Sequence, residues 1–207
     1  MPYENNKLRI TDGSPTLRET IRASVAVGVF AALIVAGSYV SVPLPITPVP
    51  VALQSLFVFL AALILGPKTG TLAVALFLMM GTIGLPVFAG GRGGPAHFFG
   101  PTGGYLLGYL PAAAVCGVVS QWGSRFATAR ARALLDVAAA TLGTVVLYAC
   151  GVTVLSRVTG MTASAAIAAG AVPFLVGDAV KIAVAAAVAP RVRGKLVSAA
   201  SATTEQK

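Results

Sequence analysis

Two opposite charges, Asp178 and Lys181, stand within an otherwise apolar stretch near the C-terminal end of the chain. At a spacing of three residues they lie on the same face of a helix, one turn apart. An ionised side chain at the centre of a bilayer costs about 2.5–3.5 kcal/mol on insertion scales, so it needs a partner or a function. We interpret the pair as a contact site for a small molecule. A proton or ion pathway and a purely structural ion pair are the alternatives.

Two further polar side chains could converge with this pair. Gln54 follows a proline-rich segment, where its amide needs hydrogen-bond partners, and Arg92 stands alone among glycines. A carboxylate, two cations and an amide suit a ligand that has N–H donors and a carboxylate of its own. The sequence contains no Ser/His/Asp or metal-ligand constellation, and we interpret the single histidine, His97, as a loop residue. We therefore expect no catalysis and no bound metal.

The composition indicates that membrane-spanning helices position these residues. Of 207 residues, 57% are hydrophobic and only 10% are charged, whereas average soluble domains have roughly 25% charged residues. A spanning helix needs about 20 mostly apolar residues. Scanning the chain on this basis predicts an all-α membrane protein of six helices, with five or seven as alternatives. The predicted helices are Ile21–Val42, Val51–Leu65, Thr71–Val87, Gly104–Trp122, Leu134–Leu155 and Ala171–Ala189.

The basic residues set the predicted orientation, because Lys and Arg are retained on the cytoplasmic side of a membrane. With the N-terminus inside, the outer loops hold only Arg92 and Arg157, and nearly all other basic residues fall in inner segments. Both termini are then cytoplasmic, and topology explains the net charge of +9 without nucleic-acid binding. The predicted organisation is a cytoplasmic tail at 1–20, a membrane domain at 21–190 and a basic cytoplasmic tail at 191–207. The expected location is the cell membrane, crossed several times.

The two predicted outer loops have unusual compositions. The first, residues 41–50, contains four prolines, which cannot continue a helix, yet it is nearly uncharged. Irregular backbone at membrane depth is tolerated where it is buried in protein or lines a cavity, so we expect this loop to fold against the helices. The second, residues 87–104, combines seven glycines with Phe88, Phe98 and Phe99, which favours an ordered cap over a flexible linker. We predict that both loops cap the ligand cavity.

Three residue patterns in the predicted helices indicate helix packing or capping. Gly104 with Gly108, and Ala32 with Ala36, are small residues four apart, a spacing that lets helices approach closely. The first pattern is interpreted as helix packing, and the second as a seat for a neighbouring helix or for a partner protein. Asp136 is interpreted as an acid at the start of the fifth helix.

Five sequence blocks occur in the order VPLPITPVPVALQ, LGP, GLPVFAGGRGG, GPTGGYLLGY and GDAVK, and they extend over nearly the whole membrane domain. They resemble the BioY family, the biotin substrate-binding (S) components of energy-coupling factor transporters. The resemblance implies a six-helix fold that captures biotin from outside. It also implies that substrate is contacted by Asp178, Lys181, Arg92, Gln54, Gly91 and Tyr105. One departure is Ala52, where the family usually has Thr.

The chemistry of biotin is compatible with these residues. Its ureido ring has two N–H donors that suit Asp178. The ureido carbonyl and the valerate carboxylate suit Lys181, Arg92 or the N–H groups that open the fourth helix. The residues alone leave open which cation meets which end of the ligand.

The resemblance also implies partner subunits. An S component has no ATPase of its own and docks onto a transmembrane coupling protein and two ATP-binding subunits. The sequence agrees in having no G-x-x-x-x-G-K-[ST] motif, so we expect no cofactor in this chain and ATP use by the partners alone. The Ala32 and Ala36 face resembles the docking surface of S components. A self-sufficient carrier and an ion-coupled carrier that uses Asp178 and Lys181 are the alternatives.

Overall fold

The computed structural model describes residues 17–123 and 128–202, which are almost entirely helical. Five stretches in this part are long and apolar enough to cross a membrane, in agreement with the predicted membrane protein. The helices are α1 Leu17–Tyr39, α2 Gln54–Thr82, α3 Gly103–Gly123, α4 Ala129–Thr159, α5 Ala163–Gly170 and α6 Leu175–Ala202. Two short strands, β1 Ser41–Val42 and β2 Val51–Ala52, and two 3₁₀ turns, Pro95–Phe99 and Val172–Phe174, lie between them.

Helix α2 is broken in its middle and folds back on itself. Gly66 has φ 79° and ψ −178°, a conformation that residues with a side chain essentially do not adopt, and the following Pro67 has no N–H to continue the helix. Beyond the break, Gly70 packs directly on the first half, since a Cβ on it would lie 2.8 Å from the carbonyl oxygen of Ala61. Residues nine apart in a continuous helix would be about 13 Å apart at 1.5 Å per residue.

Both ends of α2 accordingly meet the end of α1. The backbone N–H of Leu53 donates to the carbonyl of Val40 at 3.0 Å, and the hydroxyl of Tyr39 donates to the carbonyl of Pro86 at 2.6 Å. The two halves of α2 correspond to the second and third helices predicted from the sequence. The LGP block marks the break between them.

The proline-rich segment forms a hairpin between α1 and α2. Its strands are antiparallel, with Ser41 opposite Ala52 and Val42 opposite Val51. In the turn between them Thr47 is buried, and its hydroxyl accepts a hydrogen bond from the N–H of Val49 at 3.2 Å. The backbone of this segment is thus hydrogen-bonded within the hairpin, next to the end of α1 and the start of α2.

The glycine-rich segment, residues 83–102, is also ordered. Phe88 and Arg92 exchange two backbone hydrogen bonds, of 2.8 and 3.2 Å, around a tight turn. Gly90 and Gly91 occupy that turn with φ of 75° and 70°, which glycine adopts without strain. The buried Phe88 ring anchors the turn, because it packs edge-on against Phe77 with ring centres 5.6 Å apart.

The predicted small-residue face of α3 is confirmed as a packing face. A Cβ on Gly104 would lie 2.5 Å from the carbonyl oxygen of Cys150, and one on Gly108 would lie 2.9 Å from the Cys150 Cβ. Helix α3 therefore lies directly against the backbone of α4.

The helix bounds differ from the prediction mainly in the second half of the chain. Helix α4 begins at Ala129 rather than Leu134, and α6 runs to Ala202, well into the predicted tail at 191–207. Hydropathy scanning stops at the first charges, whereas Arg and Lys are good helix formers. Helix α5 was not predicted, although Gly160 and the helix-capping Thr162 precede it. The predicted tail at 1–20 lies outside the described residues up to position 16.

Candidate functional site

Asp178 and Lys181 form a buried ion pair that joins three helices. Their side chains are about one-tenth exposed, and Lys181 Nζ lies 2.9 Å from Asp178 Oδ1. The same ammonium donates to the carbonyl of Ala52 at 2.6 Å and to the hydroxyl of Ser55 at 3.0 Å. An ammonium has three N–H donors, so all those of Lys181 are used within the protein.

The second oxygen of Asp178 is held by α4. The hydroxyl of Tyr148 donates a hydrogen bond to Asp178 Oδ2. Each carboxylate oxygen has two lone pairs and accepts a single bond here, so Asp178 can still accept hydrogen bonds from a ligand. Sequence reasoning missed Tyr148. A tyrosine within an apolar α4 was the available signal, since its hydroxyl needs a partner when buried.

A small cavity of about 70 Å³ adjoins the ion pair, and we call it the polar cavity after the Gln54 and Arg92 side chains in its otherwise largely apolar wall. The hairpin, the start of α2, the glycine-rich segment and the start of α3 enclose it. Three residues predicted to bind substrate, Gln54, Arg92 and Tyr105, line this cavity together. The remaining lining residues are Val49, Pro50, Ala52, Phe88, Ala89, His97, Thr102, Leu106 and Tyr109.

Gln54 and Arg92 both offer unused donors to the cavity. Gln54 is only 2% exposed, and its Nε2 has no hydrogen-bond partner among the described residues. A buried donor without a partner costs about 1–3 kcal/mol, so an acceptor brought by a ligand would be well placed here. The guanidinium of Arg92 is exposed, and it makes no hydrogen bond or ion pair within the described part of the chain.

Tyr105 and Gly91, unlike Gln54 and Arg92, offer no free side-chain donor to the cavity and contribute mainly to its shape. The Tyr105 hydroxyl donates to the carbonyl of Gly170 at 2.7 Å, so only its ring is presented to the cavity. Gly91 shapes the turn before Arg92 and is not part of the lining. The structure thus brings a tyrosine ring, and not its hydroxyl, to the candidate site.

Ala52 separates the polar cavity from the ion pair. It lines the cavity, and its backbone carbonyl receives Lys181. The departure from Thr at this position therefore leaves the contact with Lys181 intact. Asp178 itself lines a larger groove of about 400 Å³ between α4 and α6, whose walls are mostly apolar. The ion pair and Tyr148 form the partition between these two spaces.

His97 and Tyr109 are further residues that the sequence did not single out for the site. Both line the polar cavity, and His97 Nδ1 is buried without a partner among the described residues. His97 lies in the 3₁₀ turn Pro95–Phe99, so its interpretation as a loop residue is correct but incomplete.

Asp136 is not the helix-start acid that the sequence suggested. It lies a full turn and more inside α4, it is completely buried, and it pairs with Arg193 of α6. Ser120 of α3 donates to Asp136 Oδ1 at 2.7 Å and receives Arg193 at 3.1 Å. The cluster of Asp136, Ser120 and Arg193, here called the inner cluster after the predicted orientation, lies at the end of the bundle opposite the Asp178–Lys181 pair. The pairing of residues so distant in sequence left no signal in either segment alone.

Comparison with known proteins identifies the family. Residues 7–198 match the sequence profile of the BioY family. The chain belongs to the BioY family. Its relatives include a biotin transporter BioY of Thermotoga maritima, 42% identical over 84% of this chain and 96% of the relative. A probable biotin transporter BioY of Pyrococcus horikoshii is 38% identical over 81% of this chain and 94% of the relative.

A solved structure shares the BioY fold described above. The crystal structure of the S-component for biotin from an ECF-type ABC transporter superposes with a TM-score of 0.81 and 26% sequence identity. The match covers 87% of this chain and 95% of the other. The BioY family is a family of transporters, so the chain is a transport protein and not an enzyme.

Proposed function

We propose that this BioY chain captures biotin and delivers it across the cell membrane as the S component of an energy-coupling factor transporter. The observation that supports this most directly is the buried, unpartnered amide of Gln54 in a polar cavity. Arg92 lines the same cavity, and the Asp178–Lys181 pair stands beside it. Such a set of convergent polar groups is typical of a small-molecule site.

The free donors and acceptors favour one orientation of biotin. Lys181 has no donor left for a carboxylate, whereas the guanidinium of Arg92 makes no hydrogen bond with the described residues. We therefore assign the valerate carboxylate to Arg92, which is suited to bidentate carboxylate binding. The ureido ring then lies deeper, with its N–H groups toward Asp178 and its carbonyl toward the amide of Gln54.

Binding requires the site to enlarge. Pockets for small molecules measure about 300–1,000 Å³, whereas the polar cavity has about 70 Å³. The proline hairpin and the glycine-rich segment contribute Val49, Pro50 and Phe88 to its wall, and these segments would move outward as a cap. Movement of the ion-pair partition would join the cavity to the 400 Å³ groove on its other side.

The fold supports a topology of six membrane crossings with both termini in the cytoplasm. Helix α2 supplies two of the six, because its halves run in opposite directions from Gly66. The end of the bundle that contains Gly66 holds most of the basic side chains, as the cytoplasmic side of a membrane protein does.

The partners in this proposal are a transmembrane coupling protein and two ATP-binding subunits. Ala32 and Ala36 are both exposed on α1, on the face turned away from the core. Small residues in this arrangement let a helix of another protein approach closely, which supports their role in docking the coupling protein.

Calorimetric titration of the purified protein with biotin tests the proposed function. We expect saturable binding by the wild type and a loss of at least tenfold in affinity for Asp178→Asn, since hydrogen bonds to charged groups contribute about 1.5–3 kcal/mol. Arg157→Gln is the control, because Arg157 is also at the outer end but lines neither space. A folded wild-type protein that does not bind biotin would refute the proposal.

A further inference from the structure

A second cavity lies at the inner end of the bundle, away from the candidate biotin site. It measures about 280 Å³, is open to its surroundings, and is bordered by the bend of α2, the last turns of α3, the start of α4 and α6. Gly66, Gly117, Ser120, Arg132 and Arg193 are among its lining residues. Along α6, Arg193 is twelve residues beyond Lys181, about 18 Å at 1.5 Å per residue. This cavity is therefore distinct from the polar cavity beside Gln54.

Arg132 gives the inner cavity a positive charge that no acid within the described residues neutralises. Its side chain is half-buried in the wall and makes no hydrogen bond or ion pair in residues 17–123 and 128–202. Taking a guanidinium partly out of water without an anion is unfavourable. Its position is explained if an anion occupies the cavity.

Arg193 adds a second guanidinium to the same wall. Only some of its N–H donors have hydrogen-bond acceptors among the described residues. Its terminal nitrogens contact Asp136, Ser120 and the carbonyl of Leu63. Its Nε is buried and has no acceptor among the described residues. Asp136 balances one of the two arginines, so the cavity retains one net positive charge.

The surface around the inner cavity is also basic. Seven basic side chains and two acidic ones are described at this end of the bundle. The basic ones are Arg18, Arg22, Lys68, Arg130, Arg132, Arg191 and Arg193, and the acidic ones are Glu19 and Asp136. Basic pockets between membrane helices on the cytoplasmic side commonly receive the headgroups of anionic lipids.

We propose that the inner cavity binds a phosphate group, with Arg132 as its principal contact. A guanidinium matches the geometry of phosphate oxygens bidentately. The phosphate is either the headgroup of an anionic phospholipid that enters between the helices or a free phosphate from the cytoplasm. The two sources share this chemistry and differ in whether acyl chains are needed for binding.

Native mass spectrometry of the detergent-solubilised protein distinguishes the sources. In one arm the protein is titrated with phosphatidylglycerol, which is anionic, and separately with phosphatidylcholine, which is zwitterionic and has no net charge. In a second arm inorganic phosphate is added as a competitor of bound phosphatidylglycerol. Arg132→Gln is the test variant. Arg157→Gln is its matched control, because Arg157 is an arginine of the same helix at the opposite end.

We expect the wild type and Arg157→Gln to retain phosphatidylglycerol at least about tenfold better than Arg132→Gln, the ratio expected for one charge-assisted contact. Displacement by millimolar inorganic phosphate would identify free phosphate as a ligand of the same site. Retention without displacement would identify the lipid. Biotin titration of Arg132→Gln reports whether this variant is folded, because the two sites are separate.

Two results would overturn the phosphate site. One is a wild-type protein that does not discriminate phosphatidylglycerol from phosphatidylcholine and is not protected against thermal unfolding by inorganic phosphate. The other is equal retention of phosphatidylglycerol by Arg132→Gln and the wild type, together with equal protection of both proteins against thermal unfolding by inorganic phosphate. The first result is obtained with the wild type alone, so the proposal can be refuted even if Arg132→Gln does not fold.

Discussion

At the level of single residues, the two cations of the candidate site have different tasks because they have different numbers of free donors. Lys181 is bonded to Ala52, Ser55 and Asp178, and it orders the carboxylate next to it. The guanidinium of Arg92 is exposed and makes no hydrogen bond with the described residues, so it is available to an incoming anion. We therefore expect Lys181 to order the site and Arg92 to receive the ligand.

This division predicts how Arg92→Gln changes ligand preference. The wild type should bind biotin at least about tenfold more tightly than biotinamide, whose carboxylate is replaced by a neutral amide. In Arg92→Gln the two ligands should bind with nearly equal affinity, because the partner of the carboxylate is gone. Calorimetric titration with both ligands measures this. A preserved preference for biotin would show that another cation meets the carboxylate.

Tyr148 is expected to act through Asp178. Removing its hydroxyl in Tyr148→Phe leaves Asp178 Oδ2 without the hydrogen bond that orients it, and biotin affinity should fall about tenfold. In the background of Asp178→Asn the same substitution should have little further effect, since residues in contact are not additive. Full additivity of the two losses in a binding titration would contradict this positioning role.

The sequence predicts the polar residues of the site better than their partners. Gln54, Arg92 and Asp178 are recognisable because each is a polar group in an apolar or irregular segment. Ser55 has no such signal, and the signal of Tyr148, a hydroxyl that needs a partner when buried, does not say which residue that partner is. Their contribution depends on which helices become neighbours, and Tyr148 lies thirty residues before Asp178.

At the level of the helices, the break in α2 depends on a single glycine. Gly66→Ala should destabilise the protein by at least about 1 kcal/mol, since its backbone conformation is essentially restricted to glycine. A Cβ at Gly66 would meet nothing within 4 Å, so the cost comes from backbone strain alone. Gly28→Ala in the middle of α1 is the matched control, with equally open space and an ordinary helical φ. It should be neutral or stabilising.

Thermal unfolding in detergent measures both glycine variants. A melting temperature of Gly66→Ala equal to that of Gly28→Ala would show that the bend tolerates a side chain. A drop confined to Gly66→Ala would confirm that the reversal of α2 rests on this residue.

The same break explains the position of the largely buried Arg193 side chain. Pro67 has no N–H, so the carbonyl of Leu63, four residues earlier, loses its helical donor. Arg193 of α6 supplies one, with NH1 at 3.1 Å from that carbonyl. The guanidinium of Arg193 thus replaces the backbone donor that Pro67 lacks.

The pair of Arg193 and Asp136 should show strong coupling in stability. Breaking a buried ion pair from one side costs about 3–5 kcal/mol, whereas replacing both partners costs far less. We expect Arg193→Met and Asp136→Asn each to lower the melting temperature strongly, and the double variant to recover part of the loss. Biotin affinity of the folded variants should be unchanged, given the distance of the inner cluster from the outer site. Additive losses in the double variant would argue against this coupling.

Helix positions were predictable where apolar residues run without interruption. Helices α1 and α3 lie within a few residues of their predicted bounds, and the LGP block marked the break in α2. Helix α5 has only eight residues, too few for a spanning window, so hydropathy scanning cannot detect it. The end of α6 was missed because Arg191 and Arg193 look like part of a tail until the buried partner of Arg193, Asp136, is known.

At the level of the whole molecule, the exposed face of α1 is expected to serve assembly and not biotin binding. Ala32→Leu together with Ala36→Leu should abolish biotin uptake in cells that contain the coupling and ATP-binding subunits, because bulkier side chains prevent close helix approach. Biotin binding by the purified variant should remain normal. Ala138→Leu on the exposed face of α4 is the control. Normal uptake by the α1 variant would place the docking surface elsewhere.

The folded-back α2 also constrains how the protein enters the membrane during synthesis. The first half, residues 54–65, is about 18 Å long at 1.5 Å per residue, and a bilayer core is about 30 Å thick. A ribosome-bound chain that ended at Gly66 would therefore present a segment too short to be stable in lipid by itself. We therefore expect the two halves to enter the membrane together as a helical hairpin, with Lys68 at the turn between them. On this topology, stable insertion of the second crossing is expected only after synthesis has reached Thr82, the end of α2.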